Sequence, residues 1–247
     1  GELNATLKAG FSPEQITFTG PGKTNAELIA ALQARIGTIV LESVNEARRL
    51  NDLAEREGIK QEVLIRINPL YRTSQSCEIR ERGNSCGGNE NNDSPLTIQT
   101  IATSASKFGV DEAKAPEAIM AIAHCAHLNL KGIHIFTESN VLDFKQLLAS
   151  WTNTIAIANS LNDKGHAISV IDFGGGIGIP YNWVDAEFDM KSFGRELQQI
   201  FDNNPYPYNC IVEIGRYLVG EAGCYLTEVV DIKESQGQKF IILDEGV

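Results

Sequence analysis

Two glycine-bearing turns, each placed directly after an apolar run, hold the residues best suited to chemistry. Asp172-Phe173-Gly174-Gly175-Gly176-Ile177-Gly178 follows the run Ala167 to Ile171, and Glu213-Ile214-Gly215-Arg216 follows Cys210 to Val212. Glycines at the carboxyl end of a strand let backbone N–H groups approach an anion closely. Two such turns from two strands of one sheet can grip a single phosphate between them. The Arg216 guanidinium adds donors that suit a dianion. Glu213 sets a carboxylate beside that grip, so the combination points to a phosphorylated cofactor with a basic nitrogen. A simpler reading stays open at this stage: a triple glycine is also an ordinary tight βα turn, and Glu213 can be a structural partner of Arg216 alone.

The elements that must carry these turns follow from the hydrophobic pattern. Ile16 to Thr19, Thr38 to Glu42, Val63 to Asn68, Gly132 to Phe136, Ala167 to Phe173 and Cys210 to Glu213 read as six strands. Between them lie helical stretches. Thr24-Asn25-Ala26-Glu27 and Ser43-Val44-Asn45-Glu46 have capping-box form, and Gly58 is placed to end the second helix. Asp111 to Leu128, Val141 to Asn162 and Lys191 to Asp202 read as further helices. Repeated βα units with continuous apolar strands predict a parallel sheet, open or closed. Residues 70–106 form a long insertion rich in Asn, Ser, Gly and charge, and a loop of that length is usually functional or disordered. Cys224 to Lys233 and Lys239 to Leu243 read as a β-hairpin that starts a different, all-β arrangement.

Bulk properties narrow the function classes. The chain has 247 residues, 43% of them hydrophobic, enough for a substantial core. Its net charge of −11 argues against non-specific binding to nucleic acid or to an anionic membrane. No apolar stretch approaches the roughly 20 residues that span a bilayer, and no secretory signal opens the chain. The five cysteines, Cys77, Cys86, Cys125, Cys210 and Cys224, are dispersed and form no C-x-x-C, so free thiols in a reducing cytoplasm are expected. Cys77 and Cys86 share one polar loop and could pair, but free thiols are the expected state there as well. His124 and His127 stand at i, i+3 without a further ligand set, so no metal site is expected.

Taken together, the landmarks resemble the fold type III pyridoxal phosphate (PLP) decarboxylases, the diaminopimelate and ornithine/arginine decarboxylase family. The residues that carry the resemblance are Gly1-Glu2-Leu3, Phe18-Thr19-Gly20-Pro21-Gly22-Lys23, Arg66-Ile67-Asn68-Pro69, Ser106-Lys107-Phe108-Gly109, Gly132-Ile133-His134, Asp172 to Gly178 and Glu213 to Gly223. They span nearly the whole chain apart from the insertion. Within the family the chain looks most like the diaminopimelate-decarboxylase branch, including enzymes that decarboxylate glutamate held on an acyl-carrier protein. Thr137 and Ile214, where typical diaminopimelate decarboxylases have serine and proline, favour that carrier-protein offshoot.

The resemblance implies a (β/α)8 TIM barrel of alanine-racemase type over residues 1–217, followed by the beginning of a C-terminal β domain over 218–247. It implies pyridoxal 5'-phosphate as cofactor. Glu213 would face the pyridine nitrogen and keep it protonated. His134 would stack on the ring. Gly174, Gly175, Gly176, Gly215 and Arg216 would hold the phosphate, with Thr137 adding a hydroxyl. The reaction implied is loss of an amino acid's α-carboxylate through aldimine and quinonoid intermediates, in a cytoplasmic homodimer.

The family's Schiff-base lysine matches no Tyr-x-x-Lys-Ala context here, and six barrel strands are counted where the fold has eight. The lysine is therefore expected to lie outside this chain. Lys23 and Lys107 are the first to examine otherwise. Arg66 is a candidate near-cofactor or ion-paired group, Asp172 a cap of the glycine turn, and Tyr181 a ring over the loop. Arg72, Arg80 and Arg82 in the insertion are candidate contacts for an acidic carrier protein. Two other readings remain: a non-catalytic PLP-binding or regulatory relative, and an amino-acid racemase on the same barrel.

Overall fold

The computed structural model describes residues 1–70, 99–100, 106–181 and 184–244. The sites expected at Arg72, Arg80, Arg82, Cys77 and Cys86 lie outside these residues. The chain opens with helix α1 (Glu2–Lys8), then β1 (Thr17–Phe18), α2 (Asn25–Gln33), β2 (Thr38–Leu41), α3 (Val44–Glu57) and β3 (Gln61–Asn68). Short strands β4 (Gln99–Thr100) and β5 (Val110–Asp111) flank the end of the insertion. Next come α4 (Ala115–Ala123), β6 (Leu128–His134), β7 (Glu138–Ser139), α5 (Phe144–Asp163), β8 (Val170–Asp172), α6 (Met190–Asp202) and β9 (Asn209–Ile211). A four-residue helix, α7 (Arg216–Val219), and a hairpin, β10 (Val229–Ser235) with β11 (Gln238–Leu243), complete the described elements. No helix among the described residues is long and apolar enough to cross a membrane.

Six strands pair in the order β1-β2-β3-β6-β8-β9, every neighbour parallel, with β5 added to the end of β3. Sequential strands are spatial neighbours throughout, which is the order of a barrel wall, and the sheet curls as half of one. Strands β2 and β3 are buried nearly end to end, which explains their unbroken apolar runs. One core holds the sheet to its helices, from Leu28, Leu32 and Leu50 through Ile65 and Ile133 to Ile155 and Phe193. Trp151 of α5 stacks on Phe173 at 4.5 Å and meets Phe193 of α6 edge-on at 5.0 Å. The first glycine turn therefore rises from a packed aromatic base. Gly132 sits hard against β8: a Cβ there would lie 1.8 Å from the Val170 carbonyl oxygen.

Local chemistry accounts for most boundaries. Thr24 caps α2 with a complete box, its hydroxyl accepting from the Glu27 N–H while the Glu27 carboxylate accepts from the Thr24 N–H. At α3 only half of the expected box forms. Ser43 accepts from the Glu46 N–H, but the Glu46 carboxylate turns inward to Lys23 and to the Glu42 N–H. A buried ammonium is a stronger partner than a solvated backbone donor. Gly58 ends α3 in the left-handed region as expected, at φ 64°.

The helix expected over Asp111 to Leu128 is shorter. It begins at Ala115, with Pro116 in the first turn where a missing N–H costs nothing, and stops at Ala123. Leu128 opens a strand instead, because it pairs with Gln61 across the sheet. Strand β6 therefore starts four residues earlier than the glycine suggested, and ends at His134. Helix α5 starts at Phe144 rather than Val141. Asp143 caps it by accepting from the Lys145 N–H, and Val141 bridges to Ile177. Glu213 lies beyond β9, whose last strand residue is Ile211. The hairpin forms, but its first strand begins at Val229 rather than Cys224 and both strands run further into the link, which turns through Gln236 and Gly237 alone. Its strands pair only with each other among the described residues, leaving Ile232, Phe240, Ile241 and Leu243 exposed.

Candidate active site

Register places the chemistry in a row. Arg66 on β3 is the partner of His134 on β6, His134 of Asp172 on β8, and Asp172 of Ile211 on β9. Residues in register on parallel strands point to one face, so Arg66, His134 and Asp172 share the face at the sheet's carboxyl end. Glu213 arrives two residues past Ile211. Its Oε1 lies 3.5 Å from His134 Nε2, and one ligating atom each of His134, Asp172 and Glu213 lie within 4.8 Å of one another. His124 and His127 take no part in this cluster.

Burial and partners differ sharply along the row. His134 is 1% exposed and Asp172 0%, yet both imidazole nitrogens and Asp172 Oδ2 have no hydrogen-bond partner. Burial pushes the Asp172 carboxyl up to about 6, and the Glu213 charge adds to the rise, although His134 opposes it. Burial also acts to raise Glu213, but His134, Asp172 and the Arg66 charge outweigh it and hold Glu213 below the usual carboxylate value. The pair thus divides its proton affinity: Asp172 holds its proton to higher pH than Glu213 does.

Above the row opens a cleft of about 250 Å³. It is lined by both glycine turns (Gly175, Gly176, Gly215, Arg216), by Glu213 and Ile214, and by Phe136, Ser139, Asn140 and Ile177. Gly174 stands behind this wall. Its N–H is taken by Asp172 Oδ1 at 2.9 Å, and its carbonyl accepts from the Glu213 N–H at 2.7 Å. It shapes the turn, in the left-handed region at φ 62°, and lends the cleft no donor. Gly175 has a different reason to be glycine, since a Cβ there would meet the Glu213 carbonyl oxygen at 2.4 Å. The two turns touch along their backbones, as a shared phosphate grip requires. Arg216 lies on the cleft wall with its guanidinium 5.7 Å from the centre of the Tyr181 ring, the cover expected of Tyr181.

Thr137 departs from expectation. Its side chain is buried and its hydroxyl is 2.6 Å from Ser150 Oγ of α5, so it does not reach the cleft. Ser139 lines the cleft instead. No lysine lines the cleft among the described residues. The Lys23 ammonium spends its three N–H groups on the Gly20 and Val40 carbonyls and the Glu46 carboxylate. Burial pulls its pKa down despite Glu46. Lys107 lies over the Phe108 ring at 5.2 Å. Arg66 donates to Glu42 at 3.0 Å and stacks on Phe108 at 4.3 Å, so it is an ion-paired neighbour of the row.

The features fit a pyridoxal phosphate. Two orphaned, buried imidazole nitrogens and a buried carboxylate oxygen lie beside Glu213, which lines a cleft walled by Gly175, Gly176, Gly215 and Arg216. Residues 1–86 and 88–220 match the pyridoxal-binding domain of the pyridoxal-dependent decarboxylases, and the chain belongs to that family, whose cofactor is pyridoxal phosphate. It is 31% identical over 252 residues to the L-glutamyl-[BtrI acyl-carrier protein] decarboxylase of Niallia circulans. It is 32% identical over 249 residues to the diaminopimelate decarboxylase of Aquifex aeolicus. In both cases all of this chain aligns with 54% of the relative, so the chain spans about half the length of the curated relatives it matches. The crystal structure of Helicobacter pylori diaminopimelate decarboxylase complexed with L-lysine superposes over the whole chain and 56% of its own, at TM-score 0.76 and 28% identity.

Proposed function

We propose that this chain is the larger part of the cofactor-binding barrel (residues 1–217) of a PLP-dependent amino-acid decarboxylase, with residues 218–247 opening a β domain. The observation that carries the proposal is the pair of buried residues with unpartnered polar atoms, His134 and Asp172, beside Glu213, which lines a cleft walled by two touching glycine turns. PLP supplies an electron sink for the electron pair released when a carboxylate leaves as carbon dioxide. Glu213, kept ionised, would accept the hydrogen bond of a protonated pyridine nitrogen and hold its positive charge in place. His134, buried beside Glu213, would offer its ring toward the cofactor ring. The N–H groups of Gly175, Gly176 and Gly215, with Arg216, would hold the phosphate. Asp172, beside Glu213, would take up a proton before that carboxylate does.

The substrate is an amino acid of the diaminopimelate type or a glutamyl group on a carrier protein, as the two named relatives handle. We further place the enzyme in the cytoplasm as a homodimer; the free Cys125, Cys210 and Cys224 suit a reducing compartment, and the exposed apolar hairpin offers surface to cover. The deciding experiment assays carbon dioxide release from both substrate types by the protein at its full natural length, with PLP added. Glu213→Gln is expected to lower kcat by about 10²–10⁴-fold, the range for a positioned proton-holding group, with little change in thermal stability. Unchanged turnover by that variant, or no release from either substrate, would overturn the reading.

A further inference from the structure

A pyridine ring stacked on His134 leaves three buried atoms unaccounted for. Stacking uses the face of the imidazole, whereas its two nitrogens lie on the edge. Neither nitrogen has a hydrogen-bond partner among the described residues, nor does Asp172 Oδ2, and both side chains are almost fully buried. Buried polar atoms are seldom left in this condition, and an ordered water or an ion is the usual complement. Here the donor set decides between them, because an imidazole and two acceptor-only carboxylates converge on one point.

One ligating atom from each of His134, Asp172 and Glu213 lies within 4.8 Å of the other two, and His134 Nε2 stands 3.5 Å from Glu213 Oε1. Two ligands bonded to one tetrahedral zinc ion at about 2.0–2.1 Å are roughly 3.4 Å apart, so this pair already has the spacing of ligands. Asp172 is anchored through Oδ1, which accepts from the Gly174 N–H at 2.9 Å. That bond orients the carboxylate and leaves Oδ2 for a metal. The Glu213 side chain is 38% exposed and lines the cleft, so it offers both a way in and the freedom to close on an ion. The Arg66 guanidinium on the neighbouring strand is matched by Glu42 at 3.0 Å, which limits its opposition to a cation. An imidazole among the ligands favours zinc over magnesium or calcium, which take oxygen ligands. His124 and His127, the pair that sequence spacing brings up, are not in the set. Strand register assembles it from β6, β8 and the turn after β9.

We propose that the cofactor-free protein binds one zinc ion through His134 Nε2, Asp172 Oδ2 and the Glu213 carboxylate, and that this ion and PLP exclude each other. The metal site stands on the geometry alone. The exclusion rests on the PLP reading: the ion takes the carboxylate that would hold the pyridine nitrogen, and its charge repels a protonated ring. Zinc thus keeps empty protein from loading until the metal is withdrawn.

The test titrates zinc chloride calorimetrically into the protein at its full natural length, freed of metal and PLP. One ion per chain is expected. His134→Ala and Asp172→Asn should each weaken binding by at least about 10–100-fold, the loss that follows removal of even an outer-shell partner. His124→Ala, which changes an exposed histidine, should leave it unchanged. Circular dichroism checks that each variant is folded, and Asp172→Asn decides the matter if His134→Ala is not. PLP affinity is then read by absorbance. Zinc at ten times its own dissociation constant should raise the apparent dissociation constant for PLP about tenfold by mass action, and a chelator should restore it. No zinc binding, or binding that survives both substitutions, overturns the site. Zinc and PLP held together on one chain overturn the exclusion. A metal-free wild type that does not bind PLP overturns the cofactor reading, and the zinc site is then judged on its own titration.

Discussion

Two clusters of buried charge lie at the same end of the sheet, one strand apart, and they are finished to different degrees. Around Lys23, no buried side-chain atom is left without a partner. The ammonium has three acceptors, both Glu46 oxygens are used, and both Glu42 oxygens accept, from Arg66 and from the Gly109 N–H. Around Asp172, three buried polar atoms have no partner. Folding has closed the first cluster and left the second open. Buried polar groups are nearly always satisfied within a protein, so a cluster of exceptions marks where something else is meant to supply the partner. Charge alone would not separate the two; the count of unmade bonds does.

The contrast is sharpest under mutation. Lys23→Met should strip the closed cluster of its cation and leave Glu46 charged in the interior, with a loss of about 3–5 kcal/mol of stability. Denaturant unfolding at neutral pH checks this; a loss below about 1 kcal/mol would mean the cluster is no more costly to break than a surface pair. The same lysine is expected to stay unmodified when the protein is reduced with borohydride in the presence of PLP.

The open cluster should respond in the opposite direction. The Asp172 carboxyl sits near 6 in the folded protein against an ordinary aspartate value of 3.8. Between these values the folded state binds more protons than the unfolded one, so stability is full at the acid end and falls as pH rises through about 6. Asp172→Asn should remove that slope and match or exceed the parent in stability at pH 7, by up to about 3 kcal/mol at roughly 1.4 kcal/mol per unit. Melting temperatures from pH 4 to 8 decide it; parallel profiles for parent and variant would show that Asp172 is not held neutral in the fold. Ser43→Ala gives the smallest change. It removes one cap from α3 without touching either cluster, so it should cost about 1 kcal/mol and leave PLP affinity unaltered. A change in cofactor binding there would mean that the closed cluster and the site are mechanically coupled.

Residue type carried much of this in the sequence. Glycine after a run of apolar residues, and a carboxylate two residues before another glycine, located the cleft walls and Glu213 because their local chemistry is their function. The Thr24 box and Gly58 were legible for the same reason. What sequence spacing could not convey was set by distant partners. Thr137 turns inward because Ser150, thirteen residues on, sits beneath it, and Ser139 turns outward because Asn140 bends left-handed against Ile179. Asp172 looked like a cap, which it is through Oδ1. Its second oxygen became informative only once strand register brought it to His134 and Glu213. Leu128 was read as helical because its pairing with Gln61 lies in tertiary space.

Gly132 draws a last line through the molecule. The carbonyl of Val170 fills the space where a side chain would begin, so even one added carbon must push β6 and β8 apart. Those two strands carry His134 and Asp172 two residues further on. The distance between the imidazole and the carboxyl is in this sense inherited from a site that bears no chemistry at all. A lineage free to vary its cleft residues is not free here, and descendants that keep His134 against Asp172 should keep this one hydrogen in place of a side chain.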